Sequence, residues 1–277
     1  MSKLARRLGP ILLAGILLAS IAPVAAATED LTVEQAEAKV ASLLNQQRTD
    51  VGRIVLRIDS RLSAVARARS EDMATKDYFS HQQPDGDWAW DLMSAAGITW
   101  YGAGEIIAWN NWGTLSDSAT SASKQWHDSS AHYALLTSAS YNYFGVGLAV
   151  DGSGKKLWTV VFMKGPDRTG AKSRFRTTSN VSADTLSTAS TSTTRKYVTI
   201  KWSGSDVKLQ VLTSGLKYFQ VQVRRAGVYD WRYTKSSTTA TSMVRHLLKG
   251  RVYQFRIRAK DKAGNYGRWS ETLWIRP

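Results

Sequence analysis

Between Pro166 and Thr194 the chain gives up nearly all large apolar side chains and closes on Ser187-Thr188-Ala189-Ser190-Thr191-Ser192-Thr193-Thr194. Such a stretch cannot bury enough apolar surface to offset the entropy of ordering it, so residues 166–194 read as a linker. The sequence on either side differs in sign. Residues 28–165 carry 12 basic and 16 acidic side chains, a net of −4, whereas residues 195–277 carry 18 basic and 4 acidic, a net of +14. Two domains of opposite electrostatic character follow from this division. Cysteine is absent from all 277 residues, which excludes disulfides, thiolate metal sites and cysteine nucleophiles. Each domain must be held by packing alone, and 43% hydrophobic residues suffice for two modest cores.

The first 27 residues read as an export signal. Lys3, Arg6 and Arg7 precede an apolar stretch from Ile11 to Ala22, and small residues follow at Val24-Ala25-Ala26-Ala27. A single membrane anchor is the competing reading, but the short apolar core and Pro23 speak against it. The expected mature protein is secreted, with no transmembrane segment after signal removal.

Helices open the first domain. Thr32 with Gln35 three residues on forms a capping-box pattern, and Ala36, Val40, Leu43 and Leu44 then share one helical face. A second helix is expected over Leu62, Val65, Ala66, Arg69 and Met73, capped by Asp59 or Ser60. A third runs from Ser118 to Ala131 and ends near His132. Two strands, Tyr143 to Val150 and Leu157 to Met163, are joined by Asp151-Gly152-Ser153-Gly154, a hairpin loop. Helices first and an antiparallel pair last make this domain α+β.

Four histidines limit where imidazole chemistry can sit: His81, His127, His132 and His246. His81 closes Tyr78-Phe79-Ser80-His81 just before a Pro84-Asp85-Gly86 turn. Glu105 lies in Gly104-Glu105-Ile106-Ile107-Ala108. Trp126, Ser129 and His132 are spaced three apart, which places them on one helical face, while His127 and His132 point apart.

In this order these motifs, with Gly145-Val146-Gly147 and the segment Trp158 to Phe162, resemble the CAP superfamily, the SCP domain of cysteine-rich secretory, antigen 5 and pathogenesis-related proteins, in its bacterial form. The resemblance covers about residues 41–163. It implies a three-layer α-β-α sandwich with an open cleft, and it assigns His81, Glu105 and His132 to that cleft. The chain departs from the family where Ser129 replaces a second cleft glutamate and Ile106 replaces the usual asparagine.

Two chemistries suit the cleft. His81 and His132 could bind Zn²⁺ or another divalent cation with Glu105 as base on a bound water, giving a zinc-dependent hydrolase of wall peptide or glycan. Alternatively His81, Glu105, Ser129 and His132 form a recognition site, with or without metal, and no turnover. Activation of Ser129 by His132 is disfavoured, because no oxyanion hole or orienting acid accompanies the pair. Taken singly, each residue has an ordinary structural role: His81 bracing its turn, Glu105 accepting backbone amides, His132 ending a helix. Taken together, they favour a shared cleft, and the balance leans to binding.

Trp88, Trp90, Trp100, Tyr101, Trp109 and Trp112 lie between the His81 and His132 motifs. Most are expected in the core. Trp109 and Trp112, bracketing Asn110-Asn111 and followed by Gly113, are expected on a loop flanking the cleft, where their rings could meet sugar or lipid.

The second domain alternates apolar and polar residues at Val198-Ile200-Trp202, Phe219-Val221-Val223 and Tyr253-Phe255-Ile257-Ala259. With Leu248-x-Gly250-x-x-Tyr253, it resembles a fibronectin type III domain, an all-β sandwich whose first strand could fall inside the linker. Alternation turns Arg224, Arg256, Arg258 and Lys260 to one outer face, a basic stripe suited to polyanions. Export argues against nucleic acid as the partner and for cell-wall polymer, glycan or lipid headgroups. Solubility alone is the equally weighted alternative for this charge. The resulting expectation is a secreted cleft protein positioned at the cell envelope by a basic domain.

Overall fold

The computed structural model describes residues 30–176 and 194–277; the expected export signal, residues 1–27, and residues 177–193 of the expected linker lie outside them. Residues 31–277 belong to one unit. Its first half alternates helix and strand: α1 (Val33–Asp50), β1 (Arg57–Ile58), α2 (Ser60–Lys76), α3 (Ala89–Ala95), β2 (Gly102–Asn110), α4 (Leu115–Asp128), α5 (Ser130–Leu136), β3 (Tyr143–Val150) and β4 (Lys156–Lys164).

Local chemistry explains the boundaries. Thr32 accepts the Gln35 amide while Gln35 reaches back to the Thr32 amide, a complete capping box at the start of α1. Asp59 caps α2 by accepting from the Arg61 amide. In the β3–β4 hairpin, one Asp151 oxygen accepts from the Ser153 and Lys155 amides and the Ser153 hydroxyl. These bonds, the hydroxyl's foremost, hold the Asp151 carboxyl down to about 2.

The four strands order as β1-β3-β4-β2, with β2, β3 and β4 antiparallel and β1 parallel to β3. Alternation along β4 decides what covers each face. Trp158, Val160 and Phe162 join Val40, Leu44, Ala122 and Trp126 of α1 and α4. Val161 and Met163 join Leu62, Val65 and Ala66 of α2 and Met93 of α3 on the other face. Helices therefore cover both sides of the sheet. The glycines of Gly145-Val146-Gly147 have a steric cause: a Cβ on Gly145 would lie 2.2 Å from the Leu62 carbonyl carbon, and one on Gly147 2.1 Å from the Arg67 nitrogen. Only bare backbone lets α2 rest directly on β3.

The expected single helix from Ser118 to Ala131 is two helices. Ser129 adopts ψ 113, ending α4 and starting α5. Ser129 makes no side-chain capping bond at the start of α5, so the break lies in its extended backbone rather than in a cap. His132 thus sits in the first turn of a new helix rather than at the end of a long one.

The second half is all strand: β5 (Lys172–Phe175), β6 (Arg195–Ser205), β7 (Leu216–Arg225), β8 (Arg232–Thr238), β9 (Ser242–Leu248), β10 (Tyr253–Asp261) and β11 (Leu273–Ile275). Two sheets, ordered β5-β6-β9 and β11-β10-β7-β8, share one core of Ile200, Trp202, Phe219, Val221, Phe255 and Ile257. The first strand, β5, falls within residues 166–194, so the described part of that segment is structured rather than linker. Its alternation is short but real: Phe175 packs against the core while Lys172 and Arg174 are exposed.

The β6–β7 loop is docked on the helical half. Leu209 is buried in the α2–α3 core, and the side-chain oxygen Oε1 of Gln210 accepts from the Ile54 amide at 2.8 Å. The buried Arg48 also reaches Gln210 and donates to the carbonyls of Ile54, Leu136 and Ser138. Burial, with the charge of Arg53 second, brings this guanidinium down to about 10.

Candidate functional site

The site is organised by Arg69, a fully buried arginine on α2. Its Nε donates to Glu105 Oε2 at 3.1 Å, Nη1 to the Tyr78 hydroxyl at 2.7 Å, and Nη2 to the carbonyls of Ser80 and His81 at 2.7 and 2.9 Å. One guanidinium thereby fixes the 78–81 loop against the sheet. The Tyr78 hydroxyl in turn donates to Asp72 Oδ2. Burial and the Asp72 bond push the Tyr78 phenol up to about 12, so it remains a donor. Burial alone would lower the Arg69 guanidinium, but the charge of Glu105 and the hydrogen bonds outweigh it and raise it.

Glu105 lies on β2, facing α2, and is nearly buried. Its second oxygen meets His81 Nδ1 at 2.8 Å. Arg69 locks the carboxylate, and the carboxylate in turn fixes the half-exposed His81 ring through Nδ1. Ile106, the departure beside it, points to the opposite face and is buried with α1 and α4. Packing sets its identity.

His132 comes close enough for the His81 charge to act on it. Burial first, and His81 second, hold its imidazole below the usual 6.5. His132 is therefore neutral at neutral pH. Together with Phe79, Trp109, Trp126, Asp128 and Ser129 it lines an open cavity of about 470 Å³. The helix break at Ser129 still leaves Trp126, Ser129 and His132 on one wall. Trp109 is half-exposed in this rim, with Lys155 over its ring at 5.9 Å. Trp112 is also exposed, but it lines no part of this cavity; its carbonyl accepts from Lys156. Trp88 and Trp90 stack at 4.9 Å, and Trp90 and Trp100 lean on the α2–α3 core without full burial.

Residues 41–162 match the model of the CAP family, described as the cysteine-rich secretory protein family. The CAP match belongs to this segment, less than half of the chain. Over 132 residues it is 35% identical to the uncharacterized protein YkwD of Bacillus subtilis, an alignment spanning 48% of each chain. The chain thus spans about half the length of that curated relative. Among solved structures, an extracellular protein containing a SCP domain from Bacillus anthracis aligns at 24% identity and TM-score 0.40, over 50% of this chain and 45% of that one. An outer surface protein from Borrelia burgdorferi aligns at 15% identity and TM-score 0.44, over 50% and 98%.

Within the matched segment, the donor set limits what a metal could find. Both Glu105 oxygens are engaged, and among the described residues His81, Glu105 and His132 do not bring three ligand atoms within 4.8 Å of one another. Two imidazoles are what this arrangement offers, fewer than the three protein ligands of a catalytic zinc site. The carboxylates that do cluster are Asp167, before β5, Asp206, just after β6, and Asp261, at the end of β10. Each is already answered by hydrogen bonds: Asp167 by Thr169 and Ser214, Asp206 by Val207, Ser214 and Gly215, Asp261 by Asn265.

Sequence reasoning placed Arg69 on an apolar helical face and missed its role. The signal was present: an arginine at a core position of an amphipathic helix needs a buried acceptor.

On the second half, β7 and β10 pair with Gln254 opposite Arg224, Arg256 opposite Gln222, and Arg258 opposite Gln220. Arg224, Arg256, Arg258 and Lys260 therefore share a face, as alternation requires, but they do not stand free on it. Trp231 stacks on Arg224 and Arg256, Trp269 on Arg256 and Arg258, and Tyr266 on Arg258 and Lys260, with cation–ring distances of 4.1 to 4.6 Å. The arginine Nε atoms are spent on Gln254, Gln222 and Gln220. The stripe is an interleaved ladder of cations and rings, and each half-buried cation also braces the sheet.

Proposed function

We propose that this protein works outside the cytoplasm as a ligand-binding CAP-domain protein, whose cleft recognises its partner without turning it over. One observation carries the reading: His132, Ser129 and Trp109 line a single open cavity, and His81, tied to Glu105 and Arg69, lies near enough to act on His132 although neither His81 nor Glu105 lines that cavity. A neutral His132, the half-exposed His81 ring, the Ser129 hydroxyl and the Trp109 ring supply hydrogen bonds and a stacking surface suited to a wall glycan or peptide. Glu105 serves as an anchor for His81 rather than as a base, because both of its oxygens are already engaged, one by Arg69 and one by His81. His81 and His132 could also hold a divalent cation such as Zn²⁺, which would add a Lewis acid at the cleft mouth.

The all-β half fits a fibronectin type III-like sandwich. Its sheet orders β5-β6-β9 and β11-β10-β7-β8 and the bond from the Leu248 amide to the Tyr253 hydroxyl, the corner tyrosine, support that reading. Its positive charge suits it to hold the protein on an anionic envelope surface. No helix among the described residues is long and apolar enough to cross a membrane.

The test is amide and imidazole NMR on the full chain during titration with soluble peptidoglycan fragments, repeated with ZnCl₂ alone. Shifts at His81, Ser129, Trp109 and His132 that vanish in His132→Ala support the cleft. Shifts confined to other surfaces refute it. Release of new reducing ends or amines from the fragments, lost in Glu105→Gln, would establish the hydrolase instead.

A further inference from the structure

A groove runs along the open edge of the all-β half, beside the cation–ring ladder. Its main section, of about 920 Å³, is lined by β5 and the end of β6 on one side and by Tyr266, Arg268 and Trp269 on the other. A second section of about 380 Å³ shares Ser173 and Arg174 with the first and continues to Arg176 and Leu273. Seven extended residues, 170–176, span roughly 20 Å, long enough for a polymer rather than a small solute.

Three features define what would fit. The floor is backbone: a Cβ on Gly267 would lie 1.7 Å from the Ala171 carbonyl oxygen, so only glycine permits this approach. The rim is cationic. Lys172, Arg174 and Arg268 are exposed, and none enters an ion pair among the described residues. These three contrast with the ladder cations, whose flat faces and Nε atoms are already used. Finally, Tyr266 and Trp269, two of the ladder's three rings, form one wall, opposite the hydroxyls of Ser173, Ser203 and Ser205. One exposed carboxylate, Glu271, sits in the second section.

We infer that this groove binds a carboxylated glycan chain. Cations answer the acid groups, rings stack on sugar faces, and serine hydroxyls with backbone groups take the ring hydroxyls. The inference rests on the reading of the basic half as the anchor to an anionic surface. It places the anchor in the groove instead of on the Arg224–Lys260 stripe.

The experiment measures binding of the full chain to soluble polygalacturonate, with polyphosphate and neutral dextran as parallel probes, at two salt concentrations. The expected result is that Arg174→Gln/Arg268→Gln weakens polygalacturonate binding at least tenfold. Lys217→Gln/Arg225→Gln, an equal charge change on exposed positions elsewhere in the domain, should weaken it less than threefold. Tyr266→Phe should retain binding while Tyr266→Ala weakens it. Equal losses in both double variants would overturn the groove while leaving the anionic-surface reading in place. Polyphosphate binding as tight as polygalacturonate and indifferent to Tyr266→Ala would overturn the glycan class. Binding to none of the probes would overturn the groove and the surface reading together.

Discussion

Glu105 Oε1 and His81 Nδ1 stand 2.8 Å apart although 24 residues separate them in the chain. The contact exists because the other carboxylate oxygen is held by Arg69, which also grips the backbone carrying His81. The imidazole's orientation is therefore set twice, through its side chain and through its main chain. A site built this way is preorganised before any ligand arrives.

Removing Arg69 should be the most damaging single change to this half of the protein. Arg69→Met leaves the Glu105 carboxylate buried without its cation and strands two carbonyls. Breaking a buried pair in this way costs roughly 3–5 kcal/mol. Arg69→Lys keeps the charge but not the planar fork, so it should recover only part of the loss. Urea unfolding followed by tryptophan fluorescence measures both. A cost below about 1 kcal/mol for Arg69→Met, the range of an exposed pair, would show that the network does not organise the cleft.

His132 makes stability depend on pH in a definite direction. Burial and the nearby His81 depress its folded value below the ordinary 6.5. Between the folded and unfolded values the unfolded chain binds more protons, so stability rises with pH across that window. The contribution is complete above about 6.5 and is lost as pH falls through the depressed folded value. Asp151 and Asp167, whose carboxyls are lowered, act at more acid pH and do not overlap it. Unfolding free energy measured at pH 7 and pH 5 should fall in the wild-type chain, and His132→Asn should flatten that fall. Identical pH slopes in the two proteins would mean that the fold does not hold this imidazole neutral.

Local signals were readable and long-range ones were not. The Thr32–Gln35 box, the Asp59 cap, the Asp151 hairpin and the alternation of β7 and β10 each lie within a few residues, where a single chemistry decides the backbone. Ser129 shows the limit. Its spacing from Trp126 and His132 suits a continuous helix, and only tertiary packing selects two short ones that put the same three residues on a cavity wall. Residues 78–81 were legible as a motif, whereas their anchor, Arg69, was not, because its partners are set by how α2 lies on the sheet. The cation stripe was legible as a face but not as a ladder, since Trp231 and Trp269 reach it from other segments.

The contact least visible in the sequence is the docking of the β6–β7 loop on the helical half, and it has a measurable consequence. Gln210 satisfies the Ile54 amide at 2.8 Å, and Leu209 next to it is buried among residues of α2 and α3. Two domains joined only by a hydroxyl-rich tether would unfold independently, and mutations in one would leave the other unmoved. A shared interface couples them. Gln210→Ala leaves the half-buried Ile54 amide and part of Arg48 unanswered, a cost of about 1 kcal/mol. Leu209→Asp adds an unpaired charge in an apolar site and should separate the halves. Differential scanning calorimetry should show one transition in the wild-type chain, a lower one in Gln210→Ala, and two in Leu209→Asp. Hydrogen exchange should then rise at Ile54 and in α3, far from the substitution in sequence. Two transitions already present in the wild type, unmoved by Gln210→Ala, would show that the loop merely touches the helical half and carries none of its stability.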